Sequence, residues 1–493
     1  MYGGVGGRAG LALVLGLGVF AATPAAAADL GGDCCADLEE RIADLEATTA
    51  RKGNRKVSLT IGGSVNEALL FWDDGFESNV YQGTNDAARS RFRFQGDARI
   101  DKEWSAGYLL EIGVRSNRLN RTSQNSSRGL TNLPGGLTQD AGGLDLRQSA
   151  WFIQSTKLGR VWLGQTDQAT ERITEINLAN TNNFLKYYGR WNGSMLLRLP
   201  DGRLSSNTWG QILPQSGATG EGTPGEGDRF NLIKYDSPEF AGFVVSAAWG
   251  EDDFWDVALR YAAEGHGFKF AAGIGYSDWT GQGSLNTRGC SIIGGTVVAA
   301  NSDQSASGAS DCNQLGLSAS IMHIETGLFV TGAYGIKHDD YRQEAFAAAA
   351  VAAGQAPGAV DDSDDFYSVL AGIERKFGDL GKLGKTTLYG NYVHYDTGGI
   401  IGGNSFTATG RPRNLNNLFN VGGTFLGSGA DIDVWGAGVN QNIEAASIDL
   451  YLAWQRAEAE ISGSRNGSTS GVGATTVKTE PIDMIMSGAV IKF

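Results

Sequence analysis

The chain has 493 residues, 41% hydrophobic and 19% charged, with 72 glycines, 9 prolines, 4 cysteines and a formal net charge of −14. So much glycine with so little proline excludes collagen and disordered linkers, and the acidic balance argues against nucleic acid as a main partner. Length alone does not set the number of domains, because barrels run long as one unit.

Residues 1–28 carry one early charge, Arg8, an apolar run from Leu11 to Phe20 and an Ala-rich end from Ala25 to Ala28. That is the pattern of a secretory signal peptide cleaved near Ala28. No later segment reaches the roughly 18 apolar residues of a membrane helix. The mature protein is therefore expected in the periplasm, the outer membrane or the medium.

In residues 29–55, Leu38, Ile42 and Leu45 recur at helical spacing among Glu39, Glu40, Arg41, Asp44 and Glu46. This predicts a short periplasmic helix with a coiled-coil seam. About four turns are marginal alone, so the helix either joins copies of itself or docks on or in the domain that follows. Cys34 and Cys35 are adjacent. Pairing between subunits and pairing with each other both stay open.

From Lys56 to Phe493 the pattern changes to alternation. Between Arg89 and Asp101 every odd position is charged or an amide (Arg89, Arg91, Arg93, Gln95, Asp97, Arg99, Asp101), while Phe92, Phe94, Ala98 and Ile100 take the other face. Similar segments follow at Tyr108, Leu144–Gln154, Arg160–Gln165, Arg229–Tyr235, Phe243–Trp249, Trp255–Tyr261 and Phe268–Ile274. The last third adds Leu315–Ile321, Leu328–Tyr334, Phe366–Ile373, Thr387–Val393, Asp431–Val439, Ile448–Trp454 and Ile482–Phe493. The total is about sixteen strands of roughly ten residues, the length of a tilted transmembrane strand.

The connections alternate between short turns, such as 101–105, 157–159 and 326–327, and long polar loops near 118–143, 170–228, 281–313, 337–364, 397–430 and 462–480. Short turns on one side and long loops on the other predict an all-β fold, a transmembrane antiparallel β-barrel over residues 56–493. In hydrocarbon such a sheet must close, and at about sixteen strands its interior is too wide for side chains to fill. Water then occupies it, and Arg89, Arg91, Arg93, Arg99, Arg115 and Arg147 become a basic lumen wall.

The loop 170–228 is far longer than a hairpin connection and carries Glu171, Arg172, Glu175, Lys186, Arg190 and Asp201 among Phe184, Tyr187, Tyr188 and Trp191. It is expected to fold into the lumen and set acids such as Glu171 and Glu175 across from the wall arginines, giving a transverse field. The alternative is an external loop with solvated charges. Cys290 and Cys312 flank a Gly/Ser/Asn-rich loop, and a disulfide there is preferred over free thiols.

Catalysis finds little support, and an outer-membrane hydrolase is a distant third reading that lacks a credible triad. His266, His323, His338 and His394 are scattered without metal-ligand spacing, and no nucleophile has a matched base. Neither a metal nor a cofactor is expected.

The block from Asp33-Cys-Cys-Ala-Asp-Leu-Glu-Glu-Arg-Ile to Arg55-Lys-Val-Ser-Leu59 resembles the start of the alphaproteobacterial (rhizobial-type) outer-membrane porin family. Arg91-Phe-Arg-Phe-Gln-Gly-Asp-Ala, Leu158-Gly-Arg-Val-Trp-Leu-Gly-Gln and Tyr235-Asp-Ser-Pro-Glu-Phe-Ala-Gly-Phe are similar to that family too. The resemblance implies a sixteen-stranded barrel in outer-membrane lipid, homotrimers, a constriction loop after the fifth strand, and passive diffusion of small hydrophilic solutes and ions. Two rivals stay open: a solute-specific channel tracking along Tyr187, Tyr188 and Trp191, and a structural anchor whose coil grips the cell wall.

Overall fold

A computed structural model describes residues 56–125, 143–181, 193–214, 223–250, 254–279, 312–339, 361–398, 425–465 and 474–493. The chain forms two compact units, Met1–Asn54 and Arg55–Phe493. The first, with the expected signal peptide and coiled-coil helix, lies outside the described residues.

The second unit is one antiparallel sheet closed on itself. Its staves are β1 (Thr60–Asp73), β2 (Ser78–Thr84 continuing as Arg91–Arg99), β3 (Trp104–Arg115), β4 (Gly143–Ser155), β5 (Gly159–Asp167), β6 (Arg229–Asp236), β7 (Phe243–Gly250) and β8 (Trp255–Gly265). They continue as β9 (Phe268–Asp278), β10 (Cys312–His323), β11 (Leu328–Asp339), β12 (Ser363–Arg375), β13 (Thr386–Gly398), β14 (Phe425–Ile443), β15 (Ile448–Arg465) and β16 (Ala474–Lys478 continuing as Ile482–Lys492). Each stave pairs with the next, and β1 pairs with β16 from Ser64↔Lys492 to Asp73↔Asp483, which closes the barrel at the expected sixteen. The seam ends where Phe493 and Gly63 exchange two backbone hydrogen bonds, 2.8 and 3.1 Å. Gly63 has to be glycine: a Cβ there would come within 2.5 Å of the Arg91 carbonyl oxygen.

Period-two alternation sorts the two surfaces. On β1, Val65, Leu69 and Phe71 are exposed on the outer wall while Asn66, Ala68 and Leu70 are buried inward; on β8, Trp255, Val257 and Leu259 face out while Asp256 and Ala258 face in. Short turns gather at one rim, such as the one at Asp101, whose carboxylate accepts from the N–H groups of Glu103 and Trp104. The long loops gather at the other.

Two features depart from the sequence reading. The strand expected from Arg89 begins at Arg91, because β2 is broken by a 3-10 turn, Asp86–Ala88, capped by the Asn85 side chain. The lumen is also not polar all round. The loop between β5 and β6 carries a small hairpin (Leu196–Arg198 with Leu204–Thr208) and a helical turn (Trp209–Ile212), and these share one apolar core with inward Leu70, Val393, Ile432, Val434 and Met484. Hydrophobic burial thus fixes the loop to the inner wall of β1 and β10–β16, and a second apolar cluster joins its root at Ala169 and Ile173 to β6–β8, leaving the inner wall around Arg91, Glu111 and Arg147 to polar groups.

Candidate functional site

The long loop occupies residues 168–228, after the fifth stave as expected. The backbone N–H and hydroxyl of Thr170 donate to Asp256 on β8, at 2.7 and 2.8 Å. Ser318 on β10 donates to the Ile173 carbonyl, and the N–H groups of Ile176 and Leu178 donate to Ser318 and Ser320. The Asn180 N–H donates to Glu374 on β12, and its side chain donates to Asp449 on β15. On the return, Arg198 Nη2 meets Asp74 Oδ2 at 2.7 Å and Thr397 on β13 donates to the Ile212 carbonyl. A loop leaving β5 that touches inward side chains of β8, β10, β12, β13 and β15 crosses the lumen.

Beside its root the wall carries a cluster of guanidinium groups around one acid. Glu111 on β3, fully buried, receives Arg147 Nε at 2.6 Å, Arg93 Nε at 2.9 Å and Arg91 Nη1 at 3.4 Å. Three cations reach one carboxylate because the β3–β4 register slips there: Glu111 pairs with Gln148 and Ile112 with Leu146, so Arg147 is an extra residue. Such a bulge re-aims a side chain, and here Arg147 and Gln148 both point inward. Arg91 and Arg147 also feel one another and Arg229 as like charges, and Arg91 feels Arg172.

The remaining expected wall residues divide. Arg89 lies outside the strand, nearly buried, between Asp86 at 3.8 Å and Asp145 at 3.2 Å. Arg99 is exposed at the short-turn rim, its Nε donating to the Asp101 carbonyl. Arg115 ends β3, and its side chain lies outside what the structure describes.

The loop root brings both signs. Glu171 accepts from Arg229 Nη2 at 3.1 Å, and Arg229, the first residue of β6, also meets Asp167 and Asp228, each at 3.2 Å. Arg172, at a left-handed φ of 60°, leaves its side chain 58% exposed beside Glu171. Left-handed backbone is costly for a non-glycine residue and marks a place the surroundings over-determine. Glu175 is buried, as is Glu226, which accepts the Thr174 N–H at 3.0 Å. Burial pushes the Glu171 carboxyl up to about 7; Arg229 and Arg172 pull it down, and Asp167 and Asp228 push it further up. Burial beside Glu175 and Glu171 likewise holds Glu226 well above the carboxylate range.

The expected opposition of a basic wall to an acidic loop is therefore corrected in detail. The wall arginines are partnered by Glu111 of the wall itself, the loop contributes Arg172 as well as acids, and Glu171 faces Arg229 instead of the β2 ladder. Asp201, at the tip of the loop hairpin, pairs with Arg203. Lys186, Arg190 and the aromatic group 184–191 lie outside the described residues. Cys312 is buried and disulfide-bonded, while Cys290, Cys34 and Cys35 lie outside the described residues. The sequence reading missed Glu111 and Arg229; a lone acid at an inward position between Leu109 and Val114 was the available signal.

A closed barrel with an apolar outer wall, a charged lumen and a long loop folded inside is a β-barrel channel of the outer membrane. The chain belongs to the Gram-negative porin family, whose profile matches residues 11–475. Among solved structures it is similar to the anion-selective porin from Comamonas acidovorans (16% identity, 89% of this chain and 100% of that one, TM-score 0.46). It is also similar to in-vitro folded OmpT of Vibrio cholerae (12%, 90% and 99%, 0.46) and to Salmonella typhi OmpF in complex with daunomycin (10%, 90% and 99%, 0.44). No curated protein matches the chain. The family and the fold make this a passive diffusion channel.

Proposed function

We propose that small hydrophilic solutes and ions pass between the arginine cluster of β2–β4 and the loop 168–228, which acts as the constriction. The observation that carries this is the loop's crossing of the lumen, hydrogen-bonded to far staves and rooted next to Arg91, Arg93 and Arg147. With the short turns periplasmic and the long loops outside, residues 1–28 serve as the cleaved signal peptide, 29–55 as a periplasmic segment and 56–493 as the porin domain. The N-terminal block supports an alphaproteobacterial branch of the family.

A homotrimer fits the outer wall. Halfway along β1, Glu67 points outward between exposed Val65 and Leu69, bonded to the hydroxyls of Thr84 and Ser116. A carboxylate on a lipid-facing surface is unfavourable, so this face of β1–β3 is suited to a partner subunit. The test is planar-bilayer conductance: a large conductance in three equal steps supports the proposal, and a protein that inserts but stays silent sinks it.

A further inference from the structure

Below the constriction, toward the short-turn rim, the inner wall of β2–β5 forms a cavity of about 340 Å³, lined in part by Gln95, Asp97, Phe152, Gln154, Arg160 and Trp162. That is the lower end of the range for small-molecule sites. Its floor is built for one guanidinium. The rings of Phe152 and Trp162 lie 4.7 Å apart, and Arg160 Cζ stands 4.6 Å from the first centroid and 5.1 Å from the second. Phe152 can lie flat because its neighbour on β3 is Gly107, where a Cβ would come within 2.4 Å of the ring. Arg160 Nε donates to Gln154 Oε1 at 2.9 Å, and Nη2 converges on the same oxygen.

These contacts fix the arginine without neutralising it. Arg160 makes no ion pair among the described residues, and Nη1 is left without a protein partner there. Lys234 on β6, whose Nζ is 5.9 Å from the Trp162 ring, makes no ion pair among them either. Two cations over one indole, one of them held by stacking and an amide, form a preorganised receptor for a carboxylate. Across the cavity Gln95 and Asp97 are exposed and face inward, with groups that suit hydroxyls.

We propose that this cavity is a solute subsite for small polyhydroxylated monocarboxylates: Arg160 takes the carboxylate, Lys234 adds charge, and Gln95 and Asp97 hold hydroxyls. The proposal rests on the channel reading and adds to it a stopping point between constriction and mouth.

The test is single-channel recording with gluconate added on the short-turn side. Saturable block is expected. It should be about tenfold weaker in Arg160→Gln and Lys234→Gln, the loss of one charge-assisted contact, and unchanged in Lys382→Gln, an exposed lysine on the turn between β12 and β13. Glucose, which has the hydroxyls alone, and acetate, which has the charge alone, should block at least about tenfold more weakly than gluconate. Open-channel conductance in each variant shows that it has folded. A conducting channel with no saturable gluconate block, a block that survives Arg160→Gln, or equal block by glucose overturns the subsite and leaves the channel reading intact. A silent wild-type barrel overturns both.

Discussion

Replacing Arg93 by glutamine removes one positive charge from the constriction and should turn the channel toward cations. Arg93 is the cluster member for this test because its side chain is 40% exposed, while Glu111 keeps Arg91 and Arg147 as partners when it is lost. An ion passing about 5 Å from a unit charge in water feels about 0.8 kcal/mol, which screening at 0.1 M salt lowers to about 0.5 kcal/mol. That is about 2.3-fold for each ion, and since cation and anion respond oppositely their permeability ratio should move about fivefold. At 1 M salt, with the screening length near 3 Å, the same arithmetic leaves less than about twofold. The assay is the zero-current potential across a planar bilayer under a tenfold KCl gradient, at both mean concentrations. A ratio that does not move at low salt, or moves equally at high salt, would refute the placement of Arg93 beside the ion path.

Glu111→Gln should act with the opposite sign, since it leaves three guanidinium groups without their shared carboxylate; selectivity moves toward anions, and the heat-unfolding temperature of the barrel falls. Glu171, with its carboxyl pushed up to about 7, is ionised at pH 8 and protonated at pH 6. Lowering the pH across that window removes a negative charge, so anion preference should rise in the wild type and stay flat in Glu171→Gln. The clamp between Arg198 and Asp74 holds the loop hairpin to the β1–β2 turn. Burial raises the Asp74 carboxyl, but hydrogen bonds from Arg198, the Glu77 N–H and Gln124 outweigh it and hold the group below its usual 3.8. Its stabilisation is therefore complete above about pH 4 and lost as pH falls through the lower folded value. Arg198→Met should release the hairpin at neutral pH, at a local cost of about 3–5 kcal/mol, seen as open-channel noise and new protease cleavage; a quiet, resistant channel would refute the clamp.

The barrel was legible because it is regular. Alternation such as Trp255, Val257, Leu259 against Asp256, Ala258 depends on a period of two that hydrocarbon outside and water inside both enforce, so strand number and loop asymmetry could be read directly. The lumen's filled side was not legible. Inward Leu70, Val393, Ile432 and Val434 look in sequence like any apolar strand residues, and only the loop hairpin packed on them shows which surface they cover. Partners were hidden for a similar reason: Glu171 is adjacent in sequence to nothing that reveals Arg229, 58 residues on.

The charge cluster also falls where strand regularity fails. β2 breaks between Thr84 and Arg91, β4 bulges at Arg147, and β5 turns through a left-handed glycine, Gly164, paired to Ala150 just below the bulge. Hydrogen-bond register places these on neighbouring staves at similar height, since Arg91 pairs with Gly113, Glu111 with Gln148 and Ser149 with Gln165. A regular strand presents every second residue to the lumen, which caps the density of charge on the wall. The bulge lifts that limit at Arg147 and Gln148, and the break buries Arg89 against Asp86 and Asp145. The sequence ladder from Arg89 to Asp101 counted charges on an ideal strand, whereas the wall concentrates them by departing from one. Deleting Gln148 should therefore restore a regular strand in which Leu146 and Ser149 still face out and Arg147 takes the inward place opposite Glu111, so selectivity should change less than in Arg147→Gln; an equal or larger loss would show that the bulge itself is needed to aim Arg147.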